Sequence, residues 1–180
     1  MFSESEISNQ NTNFVNYIID CFHFYKSNNT SLCKTSVLSN SIIKKNYGQN
    51  LLNIDILILI NLDIFLIQCN FNNDRPTFHN IKAFTMDCNI LKNRFNKSYK
   101  YHLISLSRIS LEAITLEHLK YNNGINISLY DNSINQIYSC KESEYLLMRL
   151  YNYIVQITNC RLGLKEYLSI ENDVLMSYLI

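Results

Sequence analysis

From Asn53 to the last residue, stretches with a period of two alternate with stretches at helical spacing, and the order reads β-β-α-β-β-β-α-α. Ile54, Ile56, Ile58, Ile60 and Leu62 alternate with Asp55, Leu57, Leu59, Asn61 and Asp63, and β-branched residues dominate, so the run predicts a strand. A turn at Asn61 to Asp63 divides it, and Ile64 to Phe71 continues as a second strand. The pair makes a hairpin whose turn uses Asn and Asp where Gly is commoner. A single amphipathic helix over the same residues is the rival reading.

After a break at Asn72 to Pro76, the residues Phe78, Ile81, Phe84, Cys88, Leu91 and Phe95 stand three and four apart and predict an amphipathic helix. Asp74 offers an acceptor for its first free amides, Pro76 presets φ just inside the start, and Lys92, Arg94 and Lys97 gather where the helix dipole favours cations. Tyr101 to Leu106, Ile109 to Leu119 and Gly124 to Tyr130 read as three further strands. Asn122, Asn123 and Gly124 suit the positive φ of a hairpin turn, so the last two strands are expected to pair antiparallel. Ile109 to Leu119 has a helical alternative, because Glu112, Ala113, Leu116 and Glu117 are good helix formers. A helix runs through Tyr145, Met148, Tyr151, Ile154 and Val155, with Ser139 and Glu142 spaced as a capping box; Gly163 stops it, and Tyr167 to Leu179 gives a short last helix.

Residues 51–180 thus read as one domain, and residues 1–50 as an N-terminal extension that is partly helical. Within the extension, Phe14, Tyr17, Ile18, Cys21, Phe22 and Tyr25 have the spacing of a helix docked on the domain or on a neighbour. Polar linkers such as Ser27 to Ser31 do not repay ordering entropy by burial.

Composition limits what this pattern can serve. The 180 residues, 47% hydrophobic, suffice for one core without disulfides or metals. A net charge of +1 supplies no global pull toward phosphate backbones or anionic lipid, so nucleic acid is not expected as the main partner. Cys21, Cys33, Cys69, Cys88, Cys140 and Cys160 form no CxxC pair, and residues 1–10 lack the apolar core of a signal peptide. Free thiols in the cytoplasm follow, and the sequons at Asn29, Asn96 and Asn126 become chance matches. Leu51 to Cys69 is greasy enough in outline to span a bilayer, but Asp55 and Asp63 would each cost about 3 kcal/mol near its centre.

Chemistry is sparse. His23, His79, His102 and His118 stand singly with no HExxH or i, i+4 pairing, which favours structural roles over a metal site. Glycines only at positions 48, 124 and 163 exclude a Gly-rich nucleotide loop. Glu142, Glu144, Glu166 and Glu171 fit a solvated helix face better than an acid and base. Cys88 and Cys140 read as small hydrophobes rather than nucleophiles. Aromatics interleaved with Lys and Arg from Phe95 to Tyr101 have the look of a nucleic-acid surface, set against the near-zero net charge. No catalytic, cofactor-binding or metal-binding residue is assigned; a small enzyme would need a polar pocket with perturbed titratable groups.

Leu116, Gly124 with Ile125, Asp131, Leu150 with Tyr151, and Leu162 with Gly163 stand in the order and at the spacing seen in the C-terminal half of the sybindin-like small subunits of the TRAPP tethering complex, which this stretch resembles. Glu117, Asn123 and the Thr158, Asn159, Cys160 sequence depart from that pattern. The resemblance implies an α+β, longin-like fold over residues 53–180: a five-stranded antiparallel sheet in the order ββαβββαα flanked by helices. It implies a non-enzymatic scaffold in ER-to-Golgi transport with no cofactor, assembled with other small tethering subunits and acting indirectly on a Rab-family GTPase. Such a subunit would be cytoplasmic and peripheral at ER and Golgi membranes, with no transmembrane segment. A sigma-type clathrin adaptor subunit shares the element order. A viral, all-helical Bcl-2-like host-interaction protein is the other alternative, and the nature of Ile54 to Phe71 decides against or for it.

Overall fold

The computed structural model describes residues 11–22, residues 35–130 except 73 and 96, and residues 142–158. These hold a helix α1 (residues 11–22), β1 (Thr35–Ser39), α2 (Asn40–Tyr47), β2 (Ile56–Ile60), β3 (Asp63–Asn70), α3 (Phe78–Lys92), β4 (Lys100–Ile109), α4 (Ala113–Tyr121), β5 (Gly124–Tyr130) and α5 (Glu142–Thr158).

The expected hairpin is present. Ile60 faces Asp63 across a two-residue loop, and Asn61 takes the positive φ (54°) that such loops demand. Strands at Ile56–Asn70 exclude the all-helical alternative and the single-helix reading of this run.

The five strands form one sheet in the spatial order β1-β2-β3-β4-β5. β1–β2 and β2–β3 are antiparallel, but β3–β4 and β4–β5 are parallel, so the sheet is mixed, not the antiparallel sheet that the resemblance implied, and the last two strands do not pair antiparallel as their turn residues suggested. The cause lies in the connections. α3 carries the chain back along the sheet, so β4 starts at the same end as β3, and α4 does the same between β4 and β5. The expected strand over Ile109 to Leu119 is therefore a helix from Ala113 on. Leu111, Thr115 and Leu119 fall on one buried side at i, i+4 and i+8, while Ile114 is exposed. No antiparallel hairpin joins it to β5; Asn123 (φ 59°) ends α4 instead.

Two other expectations shift. α3 is capped by Thr77, not Asp74: the Asn80 amide donates to Thr77 Oγ1 (3.3 Å) and the Thr77 amide to Asn80 Oδ1 (2.9 Å), with Pro76 outside the helix. β1 was not foreseen, because its sequence TSVLS buries only Val37 and shows no alternation of apolar residues. The expected helix near residue 14 and the one over Tyr145 to Val155 are present as α1 and α5; Ser139, Gly163 and Tyr167 to Leu179 lie outside the described residues.

Two apolar layers result. Ile56, Ile58, Phe65, Ile67, Ile104 and Leu106 meet α1 and α5 on one face of the sheet. Leu57, Ile64, Leu66 and Leu103 meet α2, α3 and α4 on the other. Strands covered on both faces read as near-continuous apolar runs, which is what β2 and β3 are.

Gly124 tests the α4–β5 joint. A Cβ there would lie 2.4 Å from Leu119 Cδ1 and 3.0 Å from the Leu119 carbonyl oxygen, and Leu119 is fully buried. Gly124→Ala should cost about 1–3 kcal/mol by overpacking, read as a drop of several degrees in the thermal melt. An unchanged melt would mean that Leu119 moves aside freely.

Candidate functional site at the carboxyl ends of the parallel strands

Along β3 the apolar alternation breaks on one face. Ile64 and Leu66 point toward α3, and the next two residues on that side are Gln68 and Asn70. Ladder partners continue the break: Gln68 sits beside Ser105 and Ser105 beside Asn126, while Asn70 sits beside Ser107 and Ser107 beside Ser128. A block of six polar side chains therefore covers the carboxyl ends of β3, β4 and β5, on a face that is otherwise apolar. Ser105, Ser107, Ser128 and Gln68 are buried.

Part of the block is satisfied internally. Asn126 Nδ2 donates to the Ser105 carbonyl and to Ser107 Oγ, both at 2.9 Å, which also removes its sequon nitrogen from any modification. Ser110 Oγ bonds Ser128 Oγ (3.0 Å) and donates to the Tyr130 carbonyl. The other part is not: Gln68 Oε1, Asn70 Nδ2, Asn72 Oδ1, Arg75 Nε and Ser105 Oγ are buried with no hydrogen-bond partner. Buried polar atoms are nearly always paired, so five orphans at one end of a sheet mark it out.

Asp55 stands at the edge of this block, just ahead of β2. Its amide donates to the Ile67 carbonyl (2.9 Å), and its Oδ2 accepts the Cys69 amide at 2.7 Å, taking the place of a ladder carbonyl between Gln68 and Asn70. Burial raises its pKa to about 6, against the opposing pulls of the Cys69 amide and the Lys44 charge. Asn53, two residues earlier, donates through its amide and Nδ2 to Asp87 Oδ2 on α3, both at 2.9 Å, which pins the approach to Asp55.

The loops that follow β3 and β4 close over the same end. Arg75 Nη1 lies 3.4 Å from Glu112 Oε1, joining the segment before α3 to the segment before α4. Phe71 ties in α1: its ring stacks on Phe14 (4.5 Å) and its amide donates to Asn11 Oδ1 (3.0 Å).

The residues weighed from sequence lie elsewhere and apart. His102 Nε2 bonds Asp63 Oδ1 (2.7 Å) at the opposite end of the sheet, His118 Nε2 pairs with Thr85 Oγ1 (3.1 Å) between α3 and α4, and His79 is exposed. Cys69 and Cys88 are buried, and burial holds both thiols well above their ordinary pKa, so they serve as small hydrophobes. Glu144 departs from the solvated face expected for it, being 6% exposed on a helix whose inner residues carry the core. His23, Cys33, Cys140, Cys160, Glu166 and Glu171 lie outside the described residues, as does the side chain of Glu142. Among the described residues no three His, Cys, Asp or Glu side chains converge on a metal position, and no helix is long and apolar enough to cross a membrane. Asp55, Gln68 and Asn70 stand within runs that read as apolar strands, and their only signal in the sequence is a polar residue at a core-facing strand position.

Compared with known proteins, the chain matches no family model, no curated protein and no solved structure.

The raised pKa has a pH consequence. An acid whose folded pKa exceeds its unfolded one adds stability that is complete below the unfolded value and lost as pH rises through the folded value. Asp55 therefore weakens the fold as pH rises from about 4 to about 6, by up to about 3 kcal/mol for a shift from 3.8 to about 6. Asp55→Asn keeps an oxygen for the Cys69 amide and should flatten this part of the stability–pH curve in urea titrations. A variant curve parallel to the parent's would show that Asp55 titrates normally.

Proposed function

We propose that the chain is a binding protein whose ligand is oxygen-rich and phosphate-bearing, held together with a hard divalent cation at the carboxyl ends of β3, β4 and β5. The observation that carries this reading is the set of buried, unpartnered polar atoms at the end of the sheet where the Asp55 carboxyl accepts the Cys69 amide. Asp55, Gln68 Oε1 and Asn72 Oδ1 are a carboxylate and two amide oxygens, the ligand type that hard cations take, and such a cation commonly brings a phosphate with it. Asn70 Nδ2 and Arg75 Nε are donors suited to the phosphate oxygens. The carboxyl ends of parallel strands are also where open α/β sheets bind ligands. Binding is the simpler reading, because among the described residues burial, one amide and Lys44 act on Asp55, and a second carboxylate that would split a pair into acid and base is not among them.

Tethering-scaffold function, as a TRAPP-like subunit acting with small longin-like partners and a Rab-family GTPase at ER and Golgi membranes, is the second reading. Its support is the motif order from Leu116 to Gly163 and the two edges of the sheet, β1 and β5, which no other described strand pairs with and which a neighbouring subunit would cover. The parallel pairing of β4 and β5, and a helix where the longin-like plan has a strand, weigh against it. A sigma-type adaptor subunit meets the same objection. Affinity purification from native cells separates these: recovery of several small tether subunits would establish the scaffold, and recovery of adaptor large chains the coat.

The ligand reading is checked by thermal shift and calorimetry with magnesium alone, inorganic phosphate alone and magnesium-ATP. Magnesium-ATP at a hundred times its Kd should stabilise the fold by about 2.7 kcal/mol, with the gain lost in Asp55→Asn and Gln68→Leu. If no probe shifts the melt at millimolar concentration, buried waters satisfy the polar block and the reading falls.

A further inference from the structure

The opposite end of the sheet carries a surface that neither reading uses. The ends of α2 and α3 and the start of β4 meet there. Tyr47 packs on Phe95 (4.8 Å), Phe95 contacts Tyr99 (5.8 Å) and Tyr101 (6.5 Å), and the Lys92 ammonium lies 5.8 Å over the Tyr101 ring. Arg94 belongs to the same cluster, because a Cβ on Gly48, next to Tyr47, would lie 2.5 Å from its Nη1. These four rings are half-buried, so each keeps part of its surface toward water.

Five of the sixteen Lys and Arg residues lie on the segments that carry them: Lys45 in the last turn of α2, Lys92 at the end of α3, then Arg94, Lys97 and Lys100, while Lys44 faces Asp55 instead. Residues 40–54 and 88–102 contain no Asp or Glu at all. Among the described residues none of these five cations is joined to an Asp or Glu by an ion pair such as Arg75–Glu112. Asp63 faces Lys100 across the β3–β4 ladder, but its carboxylate is bonded to His102. A net charge of +1 for the whole chain therefore hides a local concentration of positive charge.

We propose that this end of the molecule binds single-stranded nucleic acid, with Lys45, Arg94, Lys97 and Lys100 along the phosphates and the tyrosine rings as stacking faces for bases. Cations alone would serve any polyanion; rings interleaved with them are what unpaired bases use. A bilayer would need apolar side chains projecting past the cations, and Leu52 and Leu62, the exposed leucines nearby, stand on separate loops. The proposal is independent of the carboxyl-end site, which lies at the far end of β3.

The test is fluorescence anisotropy of the full chain with a labelled twenty-nucleotide oligo-dT across a salt series, with heparin and phosphatidylserine vesicles as comparison polyanions. Binding should weaken steeply with salt, with a log–log slope of about −3 for the four cations placed along the phosphates. Exchanging the exposed Arg94, Lys97 and Lys100 for Glu should cost at least thirtyfold. Tyr99→Ala should cost about tenfold for the oligonucleotide, as loss of one stacked base does, while leaving heparin binding unchanged. Circular dichroism melts check that the variants fold. No oligonucleotide binding at 50 mM salt would overturn the proposal, as would binding indifferent to the charge reversals. Equal loss of heparin and oligonucleotide binding in Tyr99→Ala would overturn it too, and so would binding to vesicles alone.

Discussion

Burial of β3 on both of its faces is the constraint from which the rest of the structure follows. Phe65 and Ile67 are covered by α1 and α5, and Ile64 and Leu66 by the helices opposite, all with no exposed surface. Each such side chain contributes about 1.5–3 kcal/mol relative to exposure, and β3 keeps this surface dry by lying between β2 and β4 with helices on both faces. Once β3 is central, β2 is joined to one side by its tight hairpin. The other side is open to a strand that returns over a helix, which gives the parallel pairing with β4.

Parallel pairing then determines where polar groups can gather. Connections that cross over a sheet place the carboxyl ends of β3, β4 and β5 at one end, with the segments before α3 and α4 closing over them. Ladder registration brings Gln68, Ser105 and Asn126 into one row and Asn70, Ser107 and Ser128 into the next. The same geometry sends the ends of α2 and α3 to the other end, where Tyr47, Phe95, Tyr99 and Tyr101 meet under the basic residues. One end of the sheet is thus rich in amide and hydroxyl groups around a carboxyl, and the other in rings and cations.

Asp55 shows how a local departure from regular pairing is tolerated. Its side chain accepts the Cys69 amide where the ladder offers no carbonyl, so that donor keeps a partner. The cost falls on the carboxyl itself, whose ionisation is disfavoured by burial. Orphaned amides nearby carry a similar cost, and polar groups placed against folding stability are usual at sites that meet ligands.

The amino-acid order by itself determined the elements with strong periodicity: the β2–β3 hairpin, α3 and α5, where apolar residues repeat at the period of the element and Asn61 tolerates the turn conformation. It also carried the helix-forming character of residues 112–117, which competes locally with a strand of equal hydrophobicity. Strand direction was decided only in the tertiary structure, because a period of two is the same in parallel and antiparallel neighbours. β1 likewise depends on its partner: Thr35–Ser39 has little apolar surface of its own and becomes a strand by pairing with β2. The two candidate sites are tertiary for the same reason, since Asp55, Gln68, Ser105 and Asn126, or Tyr47 and Phe95, are distant along the chain and meet only through ladder register and helix crossover.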